Sequence, residues 1–206
     1  MKKFIVGISG LFLCLFIAGH LAGNYLMFYD AEHFNIHAHK LITNPVIYAI
    51  EGILLLILIV HVTVALKVTV ENRRARPIPY NKGQGLKVSD LASSSMPYTG
   101  LLILLFLAWH INGIKFGAVY HAEYDGLEVR DLFENLIILF GNLLNVAGYG
   151  LAMLVVGLHV LHGVWSGPQS LGINRPKFDD GLRKAALLFS LVATISFITF
   201  AVWCHL

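Results

Sequence analysis

Residues 9–20 read SGLFLCLFIAGH, and residues 99–110 read TGLLILLFLAWH. In each, an apolar run opened by a hydroxyl residue and a glycine closes on a histidine 11 positions after that hydroxyl. An imidazole is costly in lipid and marks a functional position by default. Finding one at the same point of the same phrase twice makes histidine the residue type around which the reading turns.

The surrounding composition says what kind of solvent these phrases meet. The chain has 206 residues, 57% hydrophobic and only 13% charged, too little charge for the surface of a soluble domain of this length. The charges are bunched, and five apolar stretches lie between the bunches, near residues 4–29, 44–72, 96–120, 132–166 and 181–205. Each is long enough for the roughly 20 residues that a helix needs to cross a bilayer. Runs of this length exclude barrel strands. The expected fold class is an all-α membrane protein of five transmembrane helices, residues 1–206 forming one integral membrane domain. The opening MKKFIVGISGLFLCLFIAGH imitates a secretory signal, but its length and terminal histidine read as a retained first helix.

Lys2, Lys3, Arg73, Arg74, Arg76, Lys82, Lys87, Arg175, Lys177, Arg183 and Lys184 fall on one side of these spans, and with Lys67 make up 12 of the 15 basic residues. Lys40, Lys115 and Arg130 fall opposite, among acidic residues. The positive-inside bias puts the N-terminus in the cytoplasm and the C-terminus outside. The net charge of +3 therefore reports topology and points to no nucleic-acid partner. Cys14 and Cys204 sit in spans as small apolar residues, and no Cys-x-x-Cys-His is present for covalent haem. The loops NRRARPIPYNKGQGLKVSDLASSS (residues 72–95) and SGPQSLGINRPKFDDG (166–181) are too short for a catalytic domain.

Of the ten histidines, His33, His37, His39 and His121 read as residues of outside loops, and His205 as part of a frayed terminus. His20, His61, His110, His159 and His162 lie within spans. With a rise of about 1.5 Å per residue, His20 and His110 each lie roughly 20 Å or more from the cytoplasmic end of their helix. His61 and His159 come late in helices running inward. The four therefore form two couples at two depths, His20 with His110 and His61 with His159. Two imidazoles from facing helices at one level make a bis-histidine haem site, and the core of a four-helix bundle is where such groups are held. Helices 1 to 4 are expected to form that bundle around two stacked b-type haems, the four histidines being the axial ligands of the irons.

Ser9 and Thr99 share their histidine's face three turns away, at the depth of the other couple. There a hydroxyl has two uses, bonding a propionate or ring edge of the inner haem or capping its own backbone. Gly52 and Gly150 each precede a histidine by nine positions, so the chain reads as two helical hairpins on a common plan with a fifth helix added. In the fourth span Asn145, Gly148, Ala152, His159, Gly163 and Ser166 share a face, leaving room for a flat macrocycle or for helix packing. His162 points about 60° away from His159, suited to bond a propionate or ligand.

SGLFLCLFIAGHL (9–21), YAIEGILLLILIVH (48–61), MPYTGLLILLFLAWH (96–110) and GLHVLHGVWS (157–166) together resemble the single-chain, two-haem cytochrome b subunit of succinate:quinone oxidoreductases, the succinate dehydrogenase/fumarate reductase family. The resemblance covers all five spans and implies that His61 and His159 bind the proximal haem, His20 and His110 the distal one. It implies a flavoprotein partner with FAD, an iron–sulfur partner, menaquinone as substrate, and a place in a bacterial cytoplasmic membrane. On this resemblance the chain is the quinone-reactive subunit of the enzyme and performs no dicarboxylate chemistry itself. The family often carries a carboxylate where Glu51 stands, which makes Glu51 a candidate for proton handling near a menaquinone site beside the distal haem. Two rival readings are a cytochrome b subunit of the hydrogenase or formate dehydrogenase type and a haem-free anchor whose histidines bond across helices.

Overall fold

A computed structural model describes residues 1–75, 88–173 and 176–206, and of residues 88–94 the backbone alone. Arg76, Lys82, Lys87 and Arg175 of the basic set lie outside the described residues. The chain is mostly helical, in the order α1 (Lys2–Asn24), a short 3₁₀ turn (Tyr25–Phe28), α2 (Ala31–Thr43), α3 (Val46–Arg74), α4 (Val88–Ile114), β1 (His121–Tyr124), β2 (Leu127–Arg130), α5 (Leu132–Gly141), α6 (Leu143–Ser170) and α7 (Pro176–His205). Among the described residues, five helical segments are long and apolar enough to cross a membrane: Lys2–Phe28, Val46–Arg74, Ser95–Ile114, Leu143–Ser170 and Pro176–His205.

Four features depart from the sequence reading, each for a local reason. The stretch holding His33, His37 and His39 is helix α2, not loop. Asp30 starts it by accepting from the His33 amide at 2.7 Å, which supplies a partner for a donor that the first turn leaves bare. The fourth span is not one helix over 132–166. Asn142 turns out of helical geometry, and its Oδ1 accepts from the Leu144 amide at 2.9 Å, so α5 ends and α6 begins. Asn145 Nδ2 bonds back to the Leu139 carbonyl at 2.7 Å, satisfying an end that the break exposes. The fold is also not purely α. Asp125 and Gly126, with φ of 51° and 80°, close β1 and β2 into an antiparallel hairpin, as Asp-Gly turns do. Finally, His205 is not frayed, since its Nδ1–H donates to the Phe140 carbonyl at 2.8 Å and fastens the end of α7 to α5.

The hydrogen bond from the His33 amide holds the Asp30 carboxyl below its ordinary value, helped by the His33 ring. A depressed carboxylate contributes stability that is complete above its unfolded value and is lost as pH falls through the folded one. Asp30→Ala is therefore expected to speed exchange of the His33 amide at neutral pH, while Asp30→Asn keeps it protected. In the native chain the same protection fades only on acidification below the usual carboxylate range.

At this same end Asn35, fully buried, donates to Tyr124 Oη and Asp131 and accepts from the Phe133 amide. It thereby joins α2, the hairpin and α5 into one cap over the bundle. Arg130 covers the last carbonyls of α4, with Ile114 O at 2.8 Å.

Among the long helices, α1 packs on α3 and α6, and α6 packs on α4 and α7. The seam between α6 and α7 is narrow and built from small residues, as in membrane helix pairs generally. Ala186 and Ala193 are buried there, and Ser190 donates to the Gly157 carbonyl at 2.7 Å. By contrast, α3 and α4 touch sparingly and α3 buries no residue. At the opposite end of the bundle from the cap, Lys2 and Glu71 form an ion pair that ties the start of α1 to the end of α3.

Candidate functional site

The long helices bring the four span histidines together in two couples. His20 of α1 and His110 of α4 lie with ring centroids 6.0 Å apart and planes at 88°. His61 of α3 and His159 of α6 lie 6.4 Å apart at 69°. The second couple is nearer the end of the bundle that holds Lys2 and Arg73, and is called inner here. Each couple takes one ring from the α1–α3 hairpin and one from the α4–α6 hairpin.

The two levels are lined differently. At the outer one His20 stacks between Phe16, at 5.5 Å, and Phe197 of α7, at 5.7 Å. His110 packs against Phe106 at 5.5 Å and Tyr149 at 5.9 Å. His110 Nδ1 and Tyr149 Oη are both buried without a hydrogen-bond partner. At the inner level hydroxyls meet the rings: Ser9 Oγ is 3.1 Å from His61 Nδ1, and Thr99 Oγ1 is 3.0 Å from His159 Nδ1. Both hydroxyls also bond their own helix backbone. Spacing had placed them at this depth, but nothing in it showed that they would face the histidines of the neighbouring helix.

Two imidazoles that face each other across one metal, each through a nitrogen about 2.0–2.1 Å away and about 1.1 Å from its ring centroid, hold those centroids about 6.3 Å apart. The separations of 6.0 and 6.4 Å bracket that value. With Nδ1 of His61 and His159 engaged by hydroxyls, Nε2 is the ring nitrogen left for a metal. The donor set also fits a haem better than a bare ion. Among the described residues no three His, Cys, Asp or Glu side chains converge as a metal site, whereas a haem iron takes four bonds from its macrocycle and needs only two from protein. The residues present fit two bis-histidine haems.

No family model, curated protein or solved structure matches this chain. The functional reading therefore rests on the residues themselves and on the resemblance of their spacing.

Other candidate residues sit as follows. Glu51 of α3 has an ion-pair partner: Lys115, just past the end of α4, reaches its Oε1 at 2.5 Å. Lys115 had read only as an outside basic residue, because the ends of two spans give no hint of their distance apart. His162 packs against Trp165 at 6.0 Å, and its Nδ1 is buried without a partner. The small-residue stripe of α6 divides. A Cβ at Gly163 would meet nothing within 4 Å, as at Gly52 and Gly150. A Cβ at Gly148 would lie 2.6 Å from Trp109, so Gly148 admits an indole rather than a macrocycle.

Proposed function

We propose that the chain is the membrane anchor and di-haem cytochrome b subunit of a succinate dehydrogenase/fumarate reductase complex of a bacterial cytoplasmic membrane. It carries electrons between an iron–sulfur subunit and a membrane quinone, menaquinone by resemblance, with the FAD flavoprotein completing the complex. The observation that supports this most is the pair of histidine couples at iron-bridging separation, one ring from each of four long helices. His61 and His159 hold the proximal haem, and His20 and His110 the distal one. When bound, haem iron supplies reversible one-electron storage at each level. The protein residues fix the two levels, exclude water with Phe16, Phe106, Phe197 and Tyr149, and hold each ligand ring in place.

Partner subunits dock on the end of the bundle bearing Lys2, Lys3, Lys67, Arg73, Arg74 and Lys177, the side that the positive-inside bias assigns to the cytoplasm. At the opposite end Glu51 exchanges protons with a quinone bound beside the distal haem. The ion pair with Lys115 holds its carboxylate in one place between turnovers, and protonation frees the lysine.

The test is spectroscopic and kinetic together. Membranes carrying the complex are expected to show a dithionite-reducible α-band that titrates in two steps. Glu51→Gln should keep both steps while quinone turnover falls to background. A colourless purified protein would favour the haem-free anchor, and unchanged turnover in Glu51→Gln would remove the proton role.

A further inference from the structure

The phrase that occurs twice carries a second device beside its histidine. Ser9-Gly10 on α1 and Thr99-Gly100 on α4 meet the inner histidines carried by the partner helix of the same hairpin. A hydroxyl has one proton to give. Ser9 Oγ lies 2.6 Å from the Ile5 carbonyl oxygen, an atom that only accepts, and two oxygens this close need a proton between them. The Ser9 proton is therefore committed to its own helix, and the oxygen turns a lone pair toward His61 Nδ1 at 3.1 Å. That contact is a hydrogen bond only if Nδ1 carries the hydrogen. Thr99 has the same neighbours at looser distances, with the carbonyls of Ser95 at 3.1 Å and Met96 at 3.2 Å behind it and His159 Nδ1 at 3.0 Å in front, and with its proton given to either carbonyl it too presents a lone pair to the ring.

The glycine beside the Ser9 hydroxyl lets the His61 ring come close, while Gly100 leaves the His159 ring at ordinary contact distance. A Cβ at Gly10 would stand 3.2 Å from His61 Cε1, tighter than ordinary contact, and one at Gly100 would stand 3.5 Å from His159 Cε1. The first cradle is the closer fit. At the outer level the pattern is absent: His110 Nδ1 is buried without a partner.

We infer that Ser9-Gly10 and Thr99-Gly100 are positioning cradles that lock His61 and His159 as their Nδ1–H tautomers, leaving Nε2 as the bare, metal-directed atom. This rests on the haem reading of the site for its consequence, although not for its geometry. A neutral imidazole has one donor and one acceptor nitrogen, and the partner of one decides what the other is. A ring N–H that donates to a fixed acceptor makes the ligating nitrogen more basic and favours the oxidised metal. Removing either hydroxyl takes an acceptor from Nδ1–H, lowers that basicity and makes the inner iron easier to reduce, with the smaller effect at His61, where the Val6 carbonyl remains beside the ring.

The experiment has two arms on the full chain. In haem-free protein labelled with ¹⁵N-histidine, His61 and His159 are expected as neutral Nδ1–H tautomers, with Ser9→Ala and Thr99→Ala shifting each toward Nε2–H. In haem-loaded protein the same variants should raise the midpoint of the inner step and leave the outer step in place. Ser9→Thr and Thr99→Ser, which keep the hydroxyl, should track the native protein. A native Nε2–H tautomer, or an inner midpoint unmoved in both alanine variants of a two-haem protein, overturns the cradles while the cytochrome reading stands. Native protein that takes up no haem overturns the cytochrome reading, and the tautomer arm then decides the cradles alone.

Discussion

Alanine at His61 or at His159 is expected to reduce the haem content of the purified protein from two per chain to one, and the haem lost should be the same in both variants. His20→Ala and His110→Ala should remove the other. The basis is that each level has one ring from each hairpin, at centroid separations of 6.4 and 6.0 Å, so either deletion takes away half of the protein's hold on one iron. His162 is not expected to compensate for His159, since His159 is the ring that faces His61 while His162 packs against Trp165. Pyridine haemochrome quantitation with a redox titration separates the two levels, because each variant retains a single step. A variant that loses both haems while its helices stay folded, or a mixed pattern such as His20 grouping with His61, would overturn the pairing.

Gly148→Val should have the next largest effect, and it should be confined to the outer level. A Cβ there would lie 2.6 Å from Trp109 Cη2 and 3.0 Å from Cζ3. The indole packs against Tyr149 at 4.7 Å and Phe106 at 6.4 Å, so it must shift to admit the new side chain. Forcing extra carbon into such a site typically costs about 1–3 kcal/mol, and the displaced ring adjoins His110 in sequence. The expected result is loss or a large shift of the distal haem step at an intact proximal step, with a lower temperature of haem release. Trp109→Ala in the same chain should recover much of that temperature. A Gly148→Val protein with two native haem steps would show that the contact does not constrain His110.

How much of this was legible beforehand depended on which constraint wrote the residues. Lipid imposes a length on every crossing helix, so the number of spans could be read from apolar runs alone. The constant helical rise then converts sequence number into depth, which is why the couples His20–His110 and His61–His159 could be named from spacing. Rotation of a helix about its axis is not written so plainly. Ser9 and Thr99 could be put at the right depth, but their facing the neighbouring histidines depends on how α1 meets α3 and α4 meets α6. Which of its two uses Gly148 serves is hidden for the same reason: an indole of α4 lies against it, so there the small residue serves helix packing. Asn142 was hidden inside a continuous apolar pattern, where a side chain that competes for backbone bonds ends a helix without any fall in hydropathy. Asp30 before Ala31–Thr43 and the Asp125-Gly126 pair were ordinary start and turn signals, masked by reading short polar stretches between spans as loop.

The sparse contact between α3 and α4 has a consequence for biosynthesis. On the proposed reading, the first half of the chain holds one imidazole for each iron and the second half holds the other, so neither half alone can retain a prosthetic group. The iron porphyrins then add two bridges, α1 to α4 and α3 to α6, between hairpins that otherwise meet chiefly where α1 packs on α6. Chains made without haem would then rely chiefly on the α1–α6 contact to join their two halves, so haem supply would set how firmly those halves hold together.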